Sequence, residues 1–141
     1  MLAARTSTLG VKASDLEHLH RIFFGDLRLC GCGDPHEVWP LLRALLRRCE
    51  DRALGCAELE ALIGGAAACH MVLSLLTEAR LIEHGGSMWC SWPTGKGRWT
   101  LAALDLLDGH DIDDLFDELS LGYPHEGGPC TDACWATPPG H

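Results

Sequence analysis

Two cysteine pairs are the residues of this 141-residue chain best suited to chemistry. Cys30-x-Cys32 stands between glycines, and Cys130-x₃-Cys134 stands in a Gly/Pro-rich stretch with His125 upstream. A loop cysteine gains little from packing, whereas two thiolates so spaced chelate one ion and a second pair closes a tetrahedron. Cys30, Cys32, Cys130 and Cys134 are therefore a candidate zinc site, with His125 as a variant ligand replacing one thiolate. Neither spacing is the C-x₂-C knuckle, and unligated thiols or a labile disulfide are the competing states. A four-thiolate shell leaves no position for a catalytic water, so zinc here would be structural and would staple the tail onto an earlier loop. The other four cysteines, Cys49, Cys56, Cys69 and Cys90, fall in helical or strand patterns and read as small buried hydrophobes.

Catalytic signatures are not found. The chain has no nucleophile elbow, no Walker-type loop, no dinucleotide fingerprint and no His-Glu-x-x-His. Thr94-Gly95-Lys96-Gly97 lacks the preceding glycine spacing of a phosphate loop. Cys69 and His70 are neighbours on a predicted helix, where adjacent side chains point apart and cannot form a nucleophile–base pair. A non-enzymatic protein is expected.

The elements that would position these residues are mostly helical. Ser14-Asp15-Leu16-Glu17 has the form of a capping box, and Leu16, Leu19, Ile22, Phe23 and Leu27 follow at helical spacing, predicting a helix to about Leu29. Asp34-Pro35-His36-Glu37 opens a second helix with Val38, Leu41, Leu42, Leu45, Leu46 and Cys49 as its buried stripe. Cys56 to Ile63, a Gly64-Gly65 turn and Ala66 to Ala79 form a helix–turn–helix pattern. A strand at Arg80-Leu81-Ile82, a two-residue turn at Gly85-Gly86 and a strand from Ser87 to Trp92 predict a hairpin. Thr94 caps a helix from Gly95 to Leu107, and Asp111 caps a last helix with Ile112, Leu115, Phe116 and Leu119 on one face. Gly122 to His141 is expected to be irregular. The predicted organisation is a flexible start (1–13), a domain over 14–107, and an acidic helix with a cysteine-bearing tail over 108–141, packed on the domain.

Residues 37 to 107, and above all Leu75 to Leu107, resemble the winged helix-turn-helix regulators: a leucine-rich helix, a Leu-Ile strand, a wing, and the entry Trp92-Pro93-Thr94-Gly95-Lys96-Gly97 to the closing helix. The resemblance implies a mainly α fold with a small β-hairpin, and a second helix of the pair that enters a major groove. Leu29-Cys30-Gly31-Cys32-Gly33-Asp34-Pro35 and Gly122-Tyr123-Pro124-His125 with Cys130 to Trp135 are similar to small uncharacterised proteins of actinobacteria and their phages, a likeness that brings no activity.

The residues at the resembled DNA-reading positions do not suit that task. Base edges are read by Arg, Lys, Asn or Gln, yet the side chains between Ala66 and Ala79 able to face a groove are His70, Ser74, Thr77 and Glu78, and the chain has no Asn or Gln at all. Arg43, Arg47, Arg48 and Arg52 form the main basic face, expected to be solvated and partly paired with Glu50 and Asp51, while Lys96 and Arg98 lie near the wing. The net charge of −9 is concentrated: the last 42 residues hold nine acids and no Lys or Arg. That is the opposite of a DNA-binding footprint. The primary expectation is a winged-helix module that binds a protein, through its apolar second helix or through the acidic face Asp111, Asp113, Asp114, Asp117 and Glu118. The alternative is a dimeric DNA-binding regulator using Arg43, Arg47, Arg48, Arg52, His70, Ser74, Lys96 and Arg98. No run of eighteen apolar residues spans a membrane, and a start without an apolar core argues against a signal peptide, so a cytoplasmic location is expected.

Overall fold

A computed structural model describes residues 10–28, 35–50, 56–86, 91–118 and 132–140. It is mainly helical with one two-stranded antiparallel sheet, an arrangement compatible with a winged helix. Helix α1 (Ala13–His20) continues into a π-helical segment (Arg21–Asp26). Its cap falls at Lys12 rather than Ser14, because Asp15 at the third helical position reaches back to accept the Lys12 N–H at 2.9 Å. Val11 just outside and Leu16 in the first turn are both buried, the placing of a hydrophobic staple that fixes this start. The helical run ends at Asp26, short of the expected Leu29: the Leu27 N–H bonds back to the Ile22 carbonyl, and Arg28 turns left-handed at φ 54°.

Helix α2 (Pro35–Glu50) buries Trp39, Leu42, Leu45, Leu46 and Cys49. Burial pushes the Cys49 thiol up to about 11, so it stays protonated and packs as a small hydrophobe. Cys69 is equally buried, whereas the side chain of Cys56 and all of Cys90 lie outside the described residues. Helices α3 (Cys56–Ile63) and α4 (Ala66–Glu78) are joined by Gly64-Gly65, both at positive φ (118° and 143°), where glycine alone is unstrained.

Strands β1 (Ile82–His84) and β2 (Ser91–Pro93) pair with Ile82 opposite Pro93, Glu83 opposite Trp92 and His84 opposite Ser91. This register corrects the two-residue turn expected at Gly85-Gly86, since all of residues 85–90 lie between the paired ends. The strand also starts later than expected, because Arg80 adopts the left-handed conformation (φ 62°) that ends α4.

Helix α5 (Gly95–Leu106) opens as expected, with Thr94 Oγ1 accepting the Gly97 N–H at 3.0 Å. Helix α6 (Ile112–Glu118) is capped by Asp111, whose carboxylate accepts the Asp114 N–H at 3.1 Å. Its Ile112, Leu115 and Phe116 join the core, so this face is spent within the molecule; Leu119 lies outside the described residues. Phe116 sits beside His20, Phe23, Phe24 and Trp39 at centroid separations of 5.1 to 6.5 Å, and Phe23 stacks on Trp39 at 4.0 Å. The tail is not wholly irregular: Asp132–Ala136 forms a short helix, α7, that packs on α5.

Candidate interaction surface

The surface that matters is built around the end of α4, where the chain leaves the helix and the carbonyls of Ala79, Arg80 and Leu81 need partners outside it. Each is taken by the start of α5. Lys96 Nζ donates to the Ala79 carbonyl at 2.8 Å, Thr94 Oγ1 to the Arg80 carbonyl at 2.5 Å, and the Thr94 N–H to the Leu81 carbonyl at 3.0 Å. The ammonium of Lys96 also complements the negative end of α4 and pairs with Asp26. A side chain on Gly97 would run into the Leu81 carbonyl, so this glycine sets how closely α5 approaches the hairpin. The position of α4 relative to the body is therefore fixed by Thr94, Lys96 and Gly97.

What α4 presents outward follows from this anchoring. Cys69, Leu73, Leu76 and Ala79 turn inward and are buried. Outward stand Ala66, Ala67, His70, Met71, Leu75 and Glu78. Met71 is 72% exposed and Leu75 40%, one helical turn apart, and Leu62 on α3 is 41% exposed. Of the expected groove-facing residues, His70 and Glu78 are exposed, Ser74 is half-buried, and Thr77 turns its hydroxyl back to the Leu73 carbonyl at 2.8 Å. Sequence alone does not distinguish Met71 and Leu75 from core residues, because apolar residues at helical spacing read as core unless the packing is known.

The expected basic face is differently partnered than its local sequence suggests. Arg43 pairs with Asp105 (2.6 Å) and Asp108 (2.9 Å), and Arg47 with Asp105 (2.6 Å), so both are held by α5 and the residues after it; Asp51 lies outside the described residues. The hydrogen bond to Asp105 is the main reason the Arg43 guanidinium holds its proton more tightly than usual. Arg48 and Arg98 are exposed, and Arg52 lies outside the described residues. Lys96, committed to Asp26 and Ala79, is only 14% exposed and is not a surface cation.

On the acidic helix, Asp113 accepts a hydrogen bond from Trp39 Nε1 at 3.3 Å, while Asp114, Asp117 and Glu118 face outward beside the capping Asp111. Of the candidate zinc ligands, Cys134 on α7 is a half-buried free thiol, and Cys30, Cys32, His125 and Cys130 lie outside the described residues. Among the described residues no cluster of three His, Cys, Asp or Glu could hold a metal ion, and no helix is long and apolar enough to cross a membrane.

Between the π-helical segment, the end of α4, the start of α5 and α7 runs an open groove of about 1190 Å³. Arg21, Arg28, Arg80 and Lys96 line it together with Asp26, Glu78, Glu83 and Asp132, and Trp135 forms part of one wall. No protein-family model, curated protein or solved structure gives a significant match to this chain.

Proposed function

We propose that the chain is a non-enzymatic winged-helix module that binds another protein through the outer face of α4. The observation that carries this reading is that Met71 and Leu75 are exposed while three of the expected DNA-contacting cations, Arg43, Arg47 and Lys96, are engaged by carboxylates of the fold. Methionine and leucine bury apolar area against a partner, and methionine adapts to irregular surfaces. Phosphate contacts, by contrast, need free Arg or Lys, which supply most non-specific affinity for DNA. The partner thus has an apolar patch that accepts Met71 and Leu75, flanked by the polar His70 and Glu78.

A photoreactive residue placed at position 71 tests this in cells that express the chain. It should crosslink to a protein, and the same probe at Asp117 on α6 should not. Crosslinking to DNA from position 71, or duplex binding whose salt slope corresponds to several released counterions and is lost in Arg43→Ala/Arg47→Ala, would instead establish the DNA-binding regulator. The same reading includes a zinc staple through Cys30, Cys32, Cys130 and Cys134, which rests on their spacing. Protein purified under reducing conditions without added metal should carry about one zinc per chain; less than about half an equivalent removes the staple from the reading.

A further inference from the structure

His18 is half-buried, but among the described residues its Nδ1 is the one sealed side-chain nitrogen or oxygen that lacks a hydrogen-bond partner. The ring packs edge-on against two indoles, 5.7 Å from Trp99 of α5 and 5.6 Å from Trp135 of α7, and these two indoles lie 5.1 Å from each other, so the three rings form a triangle. Trp135 belongs to a segment held at its other end by the same helix. The Gly140 N–H donates to Asp15 Oδ2 at 2.8 Å, on the oxygen that also accepts the Lys12 N–H. Pro139 is buried, and Gly140 (φ 88°) lies so close to the Gly10 carbonyl that no side chain fits there. Residues 132–140 thus cross α1 and α5 as a strap, clamped at Trp135 and at Gly140.

We propose that this strap is a pH-sensitive latch, docked while His18 is neutral and released when His18 is protonated. An imidazolium has two N–H donors, and at Nδ1 the docked strap offers no acceptor, so charging the ring in place strands a buried ionic donor. Lifting α7 gives that nitrogen water. The charged groups acting on the ring are Arg21, Asp15, Glu17 and Lys12 on α1 and its flanks; on the elements packed against it, the Lys96 ammonium of α5 lies 5.7 Å from the Trp135 ring and Asp132 begins α7. Burial, and after it Arg21, hold the His18 pKa below its ordinary 6.5, against the smaller opposing pull of Asp15 and Glu17.

The sign follows from linkage. The docked state has the lower pKa, so docking is fully favoured above the released-state pKa of about 6.5, weakens as pH falls through the interval between the two pKa values, and levels off below the docked-state value. Release would remove the wall that Asp132, Trp135 and Ala136 give to the groove and would uncover Trp99.

Nuclear magnetic resonance on the full chain between about pH 7.5 and 5 tests the latch across the window that a histidine spans. The His18 ring, the Trp135 indole N–H and the Gly140 amide should move together with one midpoint below that of a free histidine. In Trp135→Ala, a change at the surface end of the cluster, the His18 midpoint should rise toward the free value. In His18→Phe, which keeps an aromatic ring but cannot ionise, the Trp135 and Gly140 signals should stay fixed over this range. The latch is overturned if Trp135 and Gly140 stand still while His18 titrates, if Trp135→Ala leaves the His18 midpoint where it was, or if His18→Phe retains the transition.

Discussion

Helices α2 and α4 are both leucine-rich, yet they finish their surfaces in opposite ways. α2 buries Trp39, Leu42, Leu45, Leu46 and Cys49, and two of its outward arginines are met by Asp105 and Asp108. α4 buries Cys69, Leu73 and Leu76 and then presents Met71 and Leu75 to solvent. A helix whose polar face is paired within its own fold is structural on both sides. One whose outer face carries large apolar side chains is structural on one side and has contact area to spare on the other.

The sharpest way to break this comparison is to truncate one residue from each class. Leu46 is fully buried, so Leu46→Ala removes its packing and leaves a cavity, costing about 2–5 kcal/mol in denaturant unfolding. Met71→Ala, at a site 72% exposed, should change stability by no more than about 0.5 kcal/mol while weakening capture of the partner. A cost above about 2 kcal/mol at Met71 would make that face part of the fold and remove it as a binding surface.

Thr94→Ala addresses how α4 is held. The substitution deletes the cap of α5 and the donor to the Arg80 carbonyl together, and should cost about 1–2 kcal/mol. Thr94→Ser keeps the hydroxyl and should recover most of that. If Ser fails to rescue, the methyl rather than the hydroxyl's hydrogen bonds is what Thr94 contributes at this corner, and the polar hold on the end of α4 falls to Lys96 and the Thr94 N–H.

These contrasts also mark what sequence made legible. The start of α5 at Thr94, the start of α6 at Asp111 and the Gly64-Gly65 turn are written in residues within one helical turn of each other and appear where expected. Of the stripe expected on α2, Leu42, Leu45, Leu46 and Cys49 are buried, Val38 and Leu41 are partly buried, and Trp39 joins them. The features that escaped depend on distant partners. Arg43 and Arg47 meet an aspartate 62 and 58 residues away. Helix α7 forms in a Gly/Pro-rich stretch whose composition disfavours it, where Trp135 packs against Trp99 and His18. Met71 and Leu75 have the periodicity of core residues, and only the placement of α4 shows which side of that helix is covered.

A small effect on stability, with a direct bearing on the DNA-binding alternative, is expected from Asp105. Its carboxylate is 38% exposed and serves both Arg43 and Arg47, so solvent screens the pair and Asp105→Ala should cost about 1 kcal/mol or less, diminishing with added salt. The same change takes the Asp105 carboxylate from two guanidinium groups on one side of α2 and leaves Arg43 its pair with Asp108. If engaged arginines are what keep this surface from holding phosphate, Asp105→Ala should gain salt-sensitive affinity for duplex DNA that the parent chain lacks. Binding that is strong in the parent and unchanged in the variant would show that the cations acting on DNA lie elsewhere, with the exposed Arg48 and Arg98 the first to examine, and the contrast between α2 and α4 would then no longer distinguish a protein-binding module from a DNA-binding one.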